Sequence, residues 1–244
     1  MDLKDKVALV TGSAGKGMGR SIALTLAREG AKVVVNYRTS KDQAQAIVNH
    51  IESHNGNAIA VEANVFKVNG CAHLVDKTIE RFGRVDICVV NPGAGWHPEP
   101  VDRLDSAAAI EDIQDEVAPF LHLMPLVLPQ MKERKWGRII GISLLPPYDS
   151  PSYSYNVSKA ARTHALLQAR DQIWCYGVTV NVIAPGPVPA IESLSKAIEQ
   201  CEHGSAWQNR SNTSPQDIAE SVAFLCSDAG RFITGCVLPF MYYS

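Results

Sequence analysis

Short β-branched runs alternate with longer stretches of helical periodicity along nearly the whole chain, and this alternation leaves few architectures open. Lys6–Thr11 reads as a strand, followed by a glycine-rich turn and an amphipathic helix near Arg20–Glu29. In that helix Ile22/Leu26 and Ala23/Ala27 recur at i,i+4, and Gly30 stops it. Lys32–Tyr37 is a second strand, and Lys41–Ser53 a helix with Ala44, Ile47, Val48 and Ile51 on one face. Asn55-Gly56 turns the chain into a third strand, Ala58–Val61. A helix near Ala72–Phe82, closed by Gly83, precedes a fourth strand, Val85–Asn91. The long helical region Ala107–Lys132 is expected to be interrupted or bent at Pro119, Pro125 and Pro129. Arg138–Ile142 is a fifth strand, then comes a helix from about Ser154 to Tyr176, then the strand Thr179–Ile183. Ser214-Pro215 opens a late helix through Cys226, because Ser caps well and Pro suits the first turn; Val237-Leu238 makes a last short strand.

Strands separated by helices of this length imply parallel strands joined by right-handed crossovers, hence an α/β, doubly wound (Rossmann) parallel sheet. No linker, repeat or low-complexity tract divides residues 1–244, so the chain reads as a single domain. Composition agrees: 46% hydrophobic residues are ordinary for a folded core. The 23 basic and 25 acidic residues are interspersed, which leaves no electrostatic footprint for nucleic acid or an anionic membrane. No apolar run approaches the ~18 residues that span a bilayer. Val7–Val10 is too short for the core of a signal peptide, so a cytoplasmic location is expected. The six cysteines are far apart, with no CxxC and no metal-like clustering, and are expected to be buried or partly buried free thiols.

In a doubly wound sheet, ligands bind beyond the carboxyl ends of the strands. The first strand is followed by Thr11-Gly12-Ser13-Ala14-Gly15-Lys16-Gly17-Met18-Gly19-Arg20. Glycines there let the backbone approach a phosphate, and the next helix offers free N–H groups and a positive dipole end. Tyr155 and Lys159 stand four apart in a helical stretch and so share a face; a nearby ammonium is expected to lower the Tyr pKa for proton transfer. Tyr153 is a decoy, because Val157 stands four residues beyond it.

Taken together, the Gly12…Gly17-Met18-Gly19 turn, Asn91-Pro92-Gly93, Tyr155/Lys159 and Asn181-Val182-Ile183-Ala184-Pro185-Gly186 resemble the short-chain dehydrogenase/reductase family over essentially the whole chain. Within it the closest look is to 3-oxoacyl-acyl-carrier-protein reductases and similar carbonyl reductases. The resemblance implies a homotetramer, a nicotinamide cofactor, and hydride transfer between that cofactor and a small-molecule carbonyl or alcohol. It assigns Tyr155 as proton donor, Lys159 to the nicotinamide ribose, Asn91 and Gly93 to cofactor support, and Val188 to a backbone contact. Ala63-Asn64-Val65 resembles the family's adenine-edge motif, with Asn64 where Asp is more usual. An NAD site commonly carries an acid about 20 residues after the glycines. Here Asn36-Tyr37-Arg38 has none, and Arg38 and Lys16 are two cations suited to a 2′-phosphate, which favours NADP(H).

The chain departs from the family pattern in several places. The glycine turn carries one extra residue. Ser143 lies 12 residues before Tyr155 and is the candidate catalytic hydroxyl by spacing, whereas alignment outward from Gly137-Arg138-Ile139-Ile140 puts Leu144 in that slot. Glu116, beside Asp115, aligns with the Asn that helps hold a proton-relay water; it reads as a surface acid, or as a group that holds a water or accepts a proton. Ala190 stands where a Thr often contacts the nicotinamide amide. His97 and Trp96 lie near the expected mouth, Trp207 is a further pocket candidate, and the terminal Leu238-Pro239-Phe240-Met241-Tyr242-Tyr243-Ser244, with its aromatics, reads as an interface or lid edge. The expected function is NADPH-dependent reduction of a 3-oxoacyl or similar ketone. The alternatives are a catalytically weakened cofactor-binding sensor and, last, a non-redox lyase or dehalogenase. Substrate choice is expected in the loop at about 189–214.

Overall fold

A computed structural model of the chain describes residues 1–93, 95, 99–144, 152–206 and 212–240. The strands are β1 (Val7–Val10), β2 (Lys32–Tyr37), β3 (Ala58–Glu62), β4 (Ile87–Val90), β5 (Gly137–Ile142), β6 (Val178–Ala184) and β7 (Val237–Pro239). The helices are α1 (Met18–Arg28), α2 (Lys41–Ser53), α3 (Val68–Phe82), α4 (Ser106–Glu133), α5 (Tyr153–Gln168), α6 (Arg170–Ile173), α7 (Leu194–His203) and α8 (Pro215–Cys226). All the strands are parallel, in the order β3-β2-β1-β4-β5-β6-β7, as the alternation implied. Strand order reverses between β1 and β4, which opens a crevice at their carboxyl ends.

Both faces of the sheet are covered, so the strands are apolar throughout rather than alternating. On one face Ile22, Leu26, Ile47, Ile218 and Val222 pack against Ala8, Val33 and Val35; on the other Leu74, Leu123, Val127 and Leu166 pack against Leu9, Val34 and Val180. Burial at about 25 cal/mol per Å² of apolar surface is what holds the helices on.

Besides small shifts at the ends of other elements, three segments differ from the sequence reading. α4 runs unbroken through its three prolines. Each proline costs about 3 kcal/mol in an isolated helix, but buried Phe120, Leu123, Val127 and Met131 fasten this one, and the Asp105 carboxylate caps it by accepting from the N–H of Ala107 and Ala108. The helix after β5 ends at Gln168, and the short α6 and a 3₁₀ turn at Trp174–Tyr176 complete the segment. The segment after β6 carries α7, started by the Ser193 hydroxyl accepting from Lys196 N–H. All six cysteines are free, and Cys175 is exposed rather than buried.

Candidate functional site

The turn after β1 is built by its own hydrogen bonds. Thr11 Oγ1 donates to Val89 O (2.9 Å) and accepts from Asn91 N–H (3.0 Å). Asn91 Nδ2 donates to the carbonyls of Thr11 and Gly12 at 3.3 and 3.2 Å. Gly12 N–H donates to Asn36 Oδ1 (2.9 Å), while Asn36 Nδ2 donates to Ala63 O (3.1 Å), so one buried amide ties the turns after β1 and β3. Sequence reasoning passed over Asn36, although a polar side chain in an otherwise apolar strand was the available signal. Gly12 has φ +59°, and a Cβ on Gly19 would stand 2.5 Å from Gly12 O, so both positions need glycine. Gly17 is the N-cap of α1 and has no side chain to bond the first turn, in which no acid stands. The orphan N–H groups and positive end of α1 are thus available to an anion, with Met18 as the first helical residue.

A cavity of about 280 Å³ lies beside this turn, lined by Gly12, Gly15, Arg38, Asn64, Val65 and Gly93 among others. The Arg38 guanidinium lies 6.0 Å from the centre of the Phe66 ring. An adjoining cavity of about 490 Å³ shares Arg38, Phe66 and Gly93, and adds Glu99, Glu111, Asp112 and Asp115. Burial, then the neighbouring Glu111, pushes the Asp115 carboxyl up, against the pull of Lys67 and Arg38. Lys16, the second expected cation, is turned elsewhere: its ammonium pairs with Glu192 on the segment after β6. Ile191 N–H donates to Lys16 O (2.9 Å) and Arg20 donates to Ile191 O, so the glycine turn is strapped to that segment.

Tyr155 and Lys159 share a face of α5, with Nζ 5.2 Å from the centre of the Tyr155 ring, while Tyr153 is exposed. The surface reading of Glu116 is corrected: its side chain is fully buried, with Oε1 2.7 Å from Lys159 Nζ and Oε2 3.0 Å from Arg162 Nη1. Arg162 is itself fully buried and donates to Pro92 O (2.6 Å) and to Val90 O. Sequence reasoning missed Arg162, although it stands seven after Tyr155 and three after Lys159, on their helical face. The expected fall in the Tyr155 pKa is absent: burial and the Glu116 charge push the phenol up, and Arg162 opposes them. Burial lowers the Lys159 ammonium, and Glu116 works against that shift.

Ser143, at the end of β5, is buried, donates its proton to Lys159 O (3.0 Å) and accepts from Thr163 Oγ1 (2.7 Å). In this arrangement its hydroxyl braces α5. Leu144 follows it, half-buried. Pro185, Gly186 and Val188 follow directly on β6, with Val188 packed against the core and Ala190 exposed. Trp96, His97, Trp207 and residues 241–244 lie outside the described residues.

Residues 12–240 match a family model described as Enoyl-(Acyl carrier protein) reductase. The chain is 32% identical over 236 residues to a 3-oxoacyl-acyl-carrier-protein reductase of Staphylococcus epidermidis, covering 95% of each. It is 34% identical over 243 residues to the 7alpha-hydroxysteroid dehydrogenase of Escherichia coli, covering 97% of this chain and 92% of that one. Among solved structures, a 7 alpha-hydroxysteroid dehydrogenase complexed with NADH and 7-oxo glycochenodeoxycholic acid superposes with a TM-score of 0.84 at 30% identity, covering 98% of this chain and 94% of that one. A hydroxysteroid dehydrogenase from Escherichia coli superposes at 0.83 with 32% identity, covering 100% and 98%.

Proposed function

The chain belongs to the short-chain dehydrogenase/reductase family of NAD(P)-dependent oxidoreductases, and we propose that it reduces a ketone on a small molecule to a secondary alcohol, with NADPH as reductant. The observation that carries this reading is a continuous run of contacts. Gly93 lines the cavity beside the glycine turn, the Glu116 carboxylate lies against Gly93, and that carboxylate holds Lys159 one helical turn from Tyr155. A nucleotide-binding crevice and a proton-donating phenol are thereby joined through one buried charge.

The residues present fit a dinucleotide: a capless helix start for phosphate, two obligatory glycines for close approach, and a cavity at the strand-order reversal. Gly12, Gly17, Met18 and Gly19 would hold its phosphates. Asn64 and Val65 would border its base, Arg38 its ribose, and Lys159 the nicotinamide ribose. Asn91 supports the turn, while Gly93 walls the crevice from the other side. Pro185, Gly186 and Val188 would border the nicotinamide. When bound, the cofactor supplies the hydride. The chain's own part is to deliver a proton: Tyr155 gives its phenolic proton to the carbonyl oxygen as negative charge develops there. Arg38 is the support for NADPH over NADH: among the described residues no acid lines the cavity of about 280 Å³ beside the glycine turn, and the acids near Arg38 line the adjoining one. Lys16 enters that argument only if Glu192 releases it.

The 3-oxoacyl and steroid relatives set the substrate range to test. We assign its selection to the segment at about 189–214, which the Lys16–Glu192 strap connects to the cofactor turn, within one domain spanning the chain. A cytoplasmic homo-oligomer, a tetramer by family resemblance, belongs to the same proposal; exposed Ile110 and Leu121 on α4, with Val157 on α5, are apolar surface suited to a partner copy. No helix among the described residues is long and apolar enough to cross a membrane. The decisive experiment is NADPH oxidation over a panel of ketones and 3-oxoacyl thioesters, for the wild type and Tyr155→Phe. Loss of turnover with retained NADPH binding is expected; a Tyr155→Phe protein at near-full rate removes the proposed acid.

A further inference from the structure

The Tyr155/Lys159 face carries more charge than proton transfer alone requires. Lys159, Glu116 and Arg162 are all buried, and together they carry a net charge of about +1. A buried charge without a partner is costly, so neither Glu116 nor Arg162 is tolerable alone. Each is also locked in place. A Cβ at Gly93 would stand 2.2 Å from Glu116 Oε1, so the carboxylate rests directly on backbone. The Arg162 fork is fastened to Pro92 O and Val90 O as well as to Glu116.

We propose that Glu116 and Arg162 act as a matched positioning pair for the Tyr155/Lys159 dyad: the carboxylate anchors the Lys159 ammonium, and the guanidinium holds that carboxylate stationary. Glu116 stands where the family pattern has an Asn, a side chain without charge. The pair's two charges then have opposite effects on Tyr155. Glu116, on α4, disfavours the phenolate, while Arg162, on α5, favours it, in keeping with the causes of the Tyr155 shift. Among the described residues, the groups bonded to the Arg162 fork besides Glu116 are uncharged: the carbonyls of Val90 and Pro92 at the end of β4. The inference rests on Tyr155 being the acid of the proposed reaction.

The test reads the ionisation of Tyr155 without any substrate. Ultraviolet tyrosinate titrations are recorded for wild type, Glu116→Gln, Arg162→Met and the double variant, each subtracted from its Tyr155→Phe counterpart. Glu116→Gln is expected to move the Tyr155 titration to lower pH, by about one unit, a tenfold change in phenolate below the midpoint. Arg162→Met is expected to move it to higher pH. The double variant restores the net charge and is expected to return near wild type, and to melt above the less stable single variant. Shifts of the same sign in both single variants, or none in either, overturn the proposal. Should a single variant not fold, the double variant decides: a wild-type titration supports the pair, and a displaced one overturns it. Ketone turnover by Tyr155→Phe is measured separately, so failure of the functional reading and failure of the pair are distinguishable.

Discussion

Ser143 gives its hydroxyl proton to the backbone carbonyl of Lys159, 3.0 Å away, and takes one from Thr163 at 2.7 Å. In this arrangement the hydroxyl's one proton is given to α5. Ser143→Ala is therefore expected to lower the melting temperature, by the ~1 kcal/mol of a hydrogen bond, and to leave kcat within about threefold. Removing a true oxyanion donor costs about 10²–10³ in kcat. A loss of that size in steady-state ketone reduction would return Ser143 to the reacting atoms.

Gly93 leaves no room for a side chain. Glu116 is pinned by two cations and cannot retreat from a Cβ that would stand 2.2 Å from its Oε1. Gly93→Ala is expected to destabilise the fold by about 1–3 kcal/mol, the usual cost of forcing atoms into a filled interior. Cofactor affinity is expected to fall with it, because the same turn walls the crevice. Chemical denaturation measures the first effect and NADPH fluorescence titration the second; an unchanged denaturation midpoint would contradict the packing.

Arg38 and Lys16 are separable by mutation. Arg38→Ala is expected to raise the KM for NADPH at least tenfold while moving that for NADH little, since only the former carries a 2′-phosphate. Lys16→Ala is expected to change the ratio far less, because its ammonium is engaged by Glu192 in an exposed pair of small energetic value. A Lys16→Ala effect as large as that of Arg38→Ala would mean that the strap opens when cofactor binds.

The cysteines predict a pH-dependent labelling order. Burial pushes the thiols of Cys71, Cys88 and Cys226 up to about 12, so the thiolate is scarce at neutral pH. Cys201 is also raised, chiefly by burial, whereas Cys175 is exposed. Alkylation of the native protein near pH 8 is expected to modify Cys175 first, with Cys71, Cys88 and Cys226 reacting only on unfolding. Peptide mass spectrometry reads the order, and early labelling of Cys88 would contradict its burial in the sheet.

Periodicity and turn chemistry are local, and they sufficed for the strand–helix alternation, the glycine turn and the Tyr155/Lys159 face. A 3.6-residue repeat or a required positive φ is written in adjacent residues. What they misjudged were groups whose partners are distant in sequence. Pro119, Pro125 and Pro129 predict a break in α4, and only packing against the sheet overrides them. Glu116 reads as a surface acid because its partners lie 43 and 46 residues on, at Lys159 and Arg162. The Ser143 hydroxyl is tied to a carbonyl 16 residues away, a contact that spacing does not show. By itself the sequence determined the sheet, the crevice and the residue types that face it, since backbone propensity and apolar pattern act over a few residues. The tertiary structure alone decided which buried charges meet, because a charge withdrawn from water takes whatever partner the fold brings within hydrogen-bonding reach.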